Sequence, residues 1–137
     1  MRMTMGGIAL AGISLVAGLA LSGCGAKVES LPAQFQGQWA QTAALCNDAD
    51  GVSRLTVSAN GLGFYEGHGA LSGPVTTLGE RASGTFDMTG ADFNYEGVRP
   101  RDQRQSGELV LTDHGAGLIL TLQGHRQNYV RCTGNRA

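Results

Sequence analysis

Charge is what this chain has least of. Only 15% of its 137 residues are charged, against roughly 25% in an ordinary soluble domain. Ten bases and eleven acids nearly cancel, to a formal charge of -1, and Lys27 is the single lysine. A balance this close to zero excludes a general nucleic-acid binder, which needs a basic surface to displace phosphate counterions. The 42% hydrophobic content excludes global disorder. Proline is scarce, at 3, and no Cys-x-x-Cys pair, nucleophile elbow or phosphate-cradling glycine loop occurs. The expectation is therefore a protein that is not an enzyme and uses no cofactor.

Three histidines, His68, His114 and His125, each adjoin a glycine at an expected turn. Their spacing matches no zinc-ligand pattern, so no metal site is expected. The carboxylates Glu66, Glu80, Asp87, Asp92, Glu96 and Glu108 fall on different expected strands, and none stands out as half of a catalytic pair.

What is present begins at the N-terminus. One base, Arg2, precedes an uncharged run from Gly6 to Leu21, and Leu21-Ser22-Gly23-Cys24 follows. The run is short for a membrane-spanning helix, which needs about 20 residues, and suits the apolar region of a signal peptide. The tetrapeptide resembles the lipobox of bacterial lipoproteins. That resemblance implies a helical signal peptide over 1–23, acylation of Cys24, cleavage after Gly23, and a partner in the membrane itself through the N-terminal lipid. Two or three acyl chains give a stable anchor where one does not. Gly25, in place of the aspartate that retains enterobacterial lipoproteins in the inner membrane, favours the periplasmic face of the outer membrane; the inner membrane remains the alternative.

Acylation of Cys24 leaves Cys46 and Cys132 as an even pair. In the oxidising periplasm a disulfide is the default state of such a pair.

Residues 24–34 read as a tether and 35–137 as one domain. That domain has no long 3.6-residue apolar stripe; short alternating runs separated by Gly, Asn and Asp indicate strands. Around Asn60-Gly61 the pattern predicts a two-residue hairpin turn, setting Val57 opposite Phe64 and Leu55 opposite Glu66, with Glu66 towards the core. Ser83–Met88 and Ala91–Val98 form a second expected pair about Thr89-Gly90, with Phe93 and Tyr95 sharing a face. Gly107–Thr112 and Gly117–Leu122 form a third, with Leu109 and Leu111 facing Leu118, Leu120 and Leu122. Strands over Gln38–Leu45, Val75–Leu78 and Arg126–Cys132 bring the total to eight or nine, so the expected class is an all-β antiparallel barrel, with tight turns accounting for the 22 glycines.

Gly37-Gln38-Trp39 on the opening strand resembles the lipocalin and wider calycin pattern. There the Trp plugs the closed end of the barrel and an Arg near the last strand packs over it, which implies Trp39 and Arg131 as the plug. The plainer reading, Trp39 as a core residue, is compatible with that. The resemblance also implies a small apolar ligand inside the barrel, lined by the inward residues Val57, Phe64, Phe86, Leu109 and Leu120. Gly37-x-Trp39 with Cys46, and Leu109-x-Leu111-x-Asp113 before Gly117, is also similar to the bacterial metalloprotease-inhibitor barrels, in which an N-terminal trunk, here Ala26–Gln34, enters the protease. Those proteins join early strands by their disulfide, whereas the partner of Cys46 here is Cys132. Ser106-Gly107 is similar to the Ser-Gly loop of the membrane-bound lysozyme inhibitors. Arg99, Arg101 and Arg104 are candidate anion-binding residues, with a solvated loop as the plainer reading. The sequence thus leaves two functions: a lipid-anchored, non-catalytic binding or structural module, and an inhibitor of a protease or lysozyme acting on an envelope protein.

Overall fold

The computed structural model describes residues 25–90 and 103–133. The lipobox-like Leu21-Ser22-Gly23-Cys24, Ala91–Val98 with Phe93 and Tyr95, and the pair Arg99 and Arg101 lie outside the described residues. The strands are β1 (Ala26–Val28), β2 (Gly37–Ala40), β3 (Arg54–Ser58), β4 (Gly61–Gly63), β5 (Gly67–Leu71), β6 (Val75–Leu78), β7 (Arg81–Gly90), β8 (Arg104–Thr112), β9 (Gly117–Leu122) and β10 (His125–Arg131).

Eight of them close an antiparallel barrel, in the order β2-β3-β4-β5-β7-β8-β9-β10 and back to β2, with β1 and β6 as two additional strands. Closure leaves the ring without a free edge. β7 makes the closure possible through its length. One of its edges pairs with β8 from Arg81 to Asp87. The other carries β6 at Arg81–Ser83 and then β5 at Phe86–Gly90. Between β5 and β6 the chain breaks step at Ser72-Gly73-Pro74, where Gly73 takes a φ of 84° and Pro74 has no N–H to offer a neighbour. β6 then leaves the ring and pairs with β1.

The inward residues alternate as pleating requires. Trp39, Leu55, Val57, Leu62, Phe86, Met88, Leu109 and Leu118 are all at most 2% exposed. Leu31 and Phe35 seal this core from the N-terminal side. The expected tether is therefore bound to the barrel: β1 pairs with β6, and the Leu31 amide donates to the Ala59 carbonyl at 2.8 Å.

The hairpin β8–β9 has the expected register, with Leu109 opposite Leu120 and Leu111 opposite Leu118. Val75–Leu78 is a strand as expected, and the last strand lies one residue earlier than its expected bounds. Three expectations are corrected. First, the β3–β4 turn is Ala59-Asn60, not Asn60-Gly61, so Val57 faces Leu62, and Glu66 is exposed. Gly61 is needed for close approach rather than for turn geometry: a side-chain carbon there would collide with the Gly69 carbonyl on β5. Second, Thr89-Gly90 is strand, and β7 pairs with β8. The hydrophobic alternation of 83–88 identified a strand but not its partner. Third, β2 stops at Ala40. A 3-10 turn, Ala43–Asn47, follows in place of the expected strand to Leu45 and folds back on β2.

That turn carries Cys46 to Cys132, with a Cα–Cα distance of 5.4 Å across a sequence separation of 86. The disulfide ties the first part of the barrel to the residue after its last strand. Chain entropy for a loop of this length corresponds to about 4.5 kcal/mol as an upper figure. A Cys46→Ala/Cys132→Ala double variant is expected to lose about 2–4.5 kcal/mol in urea unfolding; a loss below about 0.5 kcal/mol would contradict a structural role for the bond.

Candidate functional site

The two ends of the barrel differ in kind. At one end, β2 begins, β10 finishes and the chain turns from β8 into β9. Trp39 is fully buried there, its indole Nε1 donating to the Phe35 carbonyl at 3.1 Å. The Arg131 guanidinium lies 4.1 Å from the centre of the Trp39 ring. Its Nε donates to Gly115 O at 2.9 Å, Nη1 to Gln36 O at 2.9 Å, and Nη2 to Gln34 O at 2.7 Å. One side chain therefore joins the β8–β9 turn, the N-terminal entry segment and the indole face. Trp39 and Arg131 are thus in contact at this end. The turn they hold is constrained in its own right: Asp113, His114 and Gly115 all have positive φ.

At the opposite end the described residues leave the barrel open. The end of β2, the starts of β3, β8 and β10, and the ends of β4 and β9 surround a cavity of about 460 Å³. Its walls include Phe64, Leu120, Leu122 and Tyr129, together with the amides Gln41, Gln105 and Gln127 and the imidazole of His125. Val52 and Tyr65, 59% and 54% exposed, also line it.

Of the five expected ligand-lining residues, Phe64 and Leu120 line this cavity. Val57, Phe86 and Leu109 do not, because they are packed into the solid middle of the barrel. The sequence could show which residues point inward but not how far up the barrel the packing reaches. Gly69 and Gly107, two inward positions, are filled by Met88 and the Phe86 ring respectively: a side-chain carbon at either would overlap those neighbours.

The polar groups of the mouth are connected. Tyr129 Oη donates to Gln127 Oε1 at 2.8 Å, and Gln41 Nε2 donates to the same oxygen at 3.4 Å. Burial pushes the Tyr129 phenol above its ordinary pKa of 10.0, so it remains a proton donor throughout the neutral range. Arg54 also borders the cavity, but its Nη2 is held by the carbonyls of Cys46 at 2.8 Å and Asp48 at 2.7 Å. That bond links the disulfide-bearing turn to the start of β3. Glutamines at alternate inward positions near strand ends are the signal that a search for apolar residues missed.

The other candidates are dispersed. Arg104 Nε donates to Asp87 Oδ1 on the neighbouring strand at 2.8 Å, in an exposed pair. His68 lies on β5 within 3.0 Å of Thr89 Oγ1, His114 lies in the turn at the closed end, and His125 lies at the mouth. Among the described residues no group of three or more His, Cys, Asp or Glu side chains could hold a metal ion. Ser106-Gly107 lies inside β8, paired with Thr85 and Gly84, and not on a loop. The stretch Ala26–Gln34, the expected inhibitory trunk, is fastened to the barrel by β1 and Leu31 and by a bond from Gln34 Nε2 to Gly79 O at 3.2 Å. Among the described residues no helix is long and apolar enough to cross a membrane. No family model, curated protein or solved structure matches this chain.

Proposed function

We propose that this protein is a lipid-anchored binding module of the bacterial envelope that takes a small molecule into the open mouth of its barrel. The observation that carries the reading is the asymmetry of the two ends: one is sealed by Trp39 and Arg131, the other holds a cavity of about 460 Å³. A concave site of a few hundred Å³, with apolar walls and a few placed polar groups, is the usual form of a small-molecule site. The solid core at Val57, Phe86 and Leu109 restricts the ligand to the mouth.

The anchoring half of the proposal rests on Leu21-Ser22-Gly23-Cys24 and on the geometry next to it. Gly25 lies against Thr77, close to the β6–β7 turn, and Gly79 in that turn accepts the bond from Gln34. Gln34 in turn accepts from Arg131. The chain therefore enters the domain at its sealed end. A lipid on Cys24 holds that end towards the membrane and leaves the mouth, about 20 Å away at six residues of β10, facing the aqueous envelope. The outer membrane is the proposed site, on the periplasmic face. Reading the tether as an inhibitory trunk finds less support, since that segment is packed.

Ligand-observed NMR against a library of small molecules tests the binding claim. Hits are expected for the native protein and for Thr121→Trp, which adds bulk outside the barrel, and are expected to vanish with Leu122→Trp, which fills the mouth. No hits at all, or hits that survive Leu122→Trp, would contradict the site. For the anchor, Cys24→Ser is expected to leave an unlipidated precursor by intact mass; acylation of that variant, or its normal cleavage, would overturn it.

A further inference from the structure

We infer that the mouth cavity selects a neutral, polyhydroxylated ligand, a saccharide of one or two rings, rather than an apolar or ionic molecule. The inference rests on the binding site proposed above and names the chemistry of its occupant.

The charge of the described walls favours a neutral ligand over a cationic one. No aspartate or glutamate is among the described residues lining the cavity. Arg54, the one arginine among the described lining residues, pairs with Ala40 in the β2–β3 ladder, on the side of the sheet opposite to Trp39, and its Nη2 is bonded to two backbone carbonyls. Among the described residues a cationic head group meets no carboxylate, and an anionic one meets only Arg54, whose Nη2 is already held by two carbonyls while its buried Nε has no partner.

An apolar ligand is disfavoured by the glutamines. Gln105 and Gln127 project from β8 and β10 on the same side as the inward residues Leu109 and Tyr129. Covering them with hydrocarbon would strip water from amide groups without replacing its hydrogen bonds, at about 1–3 kcal/mol for each group left unpaired. A primary amide carries donors and an acceptor on one plane, which matches the neighbouring hydroxyls of a sugar. Gln127 already receives bonds at Oε1 from Tyr129 and Gln41, which orients its Nε2 donors without occupying them. Ser53 Oγ, on the same wall, is buried and has no hydrogen-bond partner among the described residues. Such a group is costly to leave unmet, and a ligand hydroxyl would meet it.

The aromatic rings supply the remaining surface. Phe64 and Tyr65 adjoin on the β4–β5 connection, and Tyr65 is 54% exposed at the rim. An aromatic face beside amides suits the C–H face of a pyranose ring, whose edge is polar while its face is not. The volume, about 460 Å³, is about fifteen water-sized units, enough for one or two rings and too small for a longer chain.

Isothermal titration of the intact mature protein with a panel of neutral disaccharides, including cellobiose and N,N′-diacetylchitobiose, and with decanol and decanoate as apolar and anionic probes, tests the inference. At least one disaccharide is expected to bind, and its affinity to fall about tenfold or more in Gln127→Leu and in Gln105→Leu, both of which alter partly or fully exposed positions and should fold. Binding of decanol or decanoate without any disaccharide would overturn the saccharide assignment and leave the cavity reading standing. Disaccharide binding unchanged in both variants would also overturn it, by placing the sugar elsewhere. Silence of every probe would overturn the inference and count against the binding site itself.

Discussion

The stacking of Arg131 on Trp39 is the contact on which the rest of the barrel is organised. A guanidinium over an indole contributes about 0.5–2 kcal/mol by itself. Here its larger effect is connectivity. The Arg131 donors reach carbonyls from Gln34 and Gln36 on the entering chain and from Gly115 on the β8–β9 turn. Three parts of the chain, residues 34–39, the turn at Gly115 and the end of β10 at Arg131, are thereby fixed relative to one another. Leu31 and Phe35 can then stay buried beneath the entry segment, and β2 and β10 can meet at Arg131 and Trp39 to complete the ring.

Sealing one end in this way leaves the other end free to serve as a site. Packing is continuous from Trp39 to Phe86 and Leu109 and gives way to glutamines and exposed aromatics at the mouth. The disulfide lies between these two tasks. It holds Ala43–Asn47 against β2, and the carbonyls of Cys46 and Asp48 hold Arg54 at the start of β3. The bond that stabilises the fold thus also shapes one wall of the cavity.

Much of this was legible from residue order. The two-residue spacing of Leu109 and Leu111, answered by Leu118, Leu120 and Leu122, was enough to place the β8–β9 hairpin in register. Reading Cys24 as a lipidation site left Cys46 and Cys132 as a pair, and the structure joins those two. Gly37-x-Trp39 pointed to a plug, and Arg131 sits over it. Other features were hidden for physical reasons. Asn60-Gly61 looks like a turn, but Gly61 answers to Gly69 on a different strand, a contact that local pattern cannot show. The pairing of β7 with β8 spans a long connection, and alternation is silent about partners. The site was legible only in part, because inward direction was read from Phe64 and Leu120 while the depth of filling depends on Met88 and Phe86 entering space left by Gly69 and Gly107.

If the Arg131 contact organises the sealed end, its geometry and not its charge alone must matter, since a lysine keeps the charge but cannot reach three separated carbonyls over a ring. Urea unfolding of Arg131→Lys is the most direct measurement. The account predicts a loss of about 2–4 kcal/mol relative to the native protein. A change within about 0.5 kcal/mol, the usual effect of an ordinary surface substitution, would contradict it.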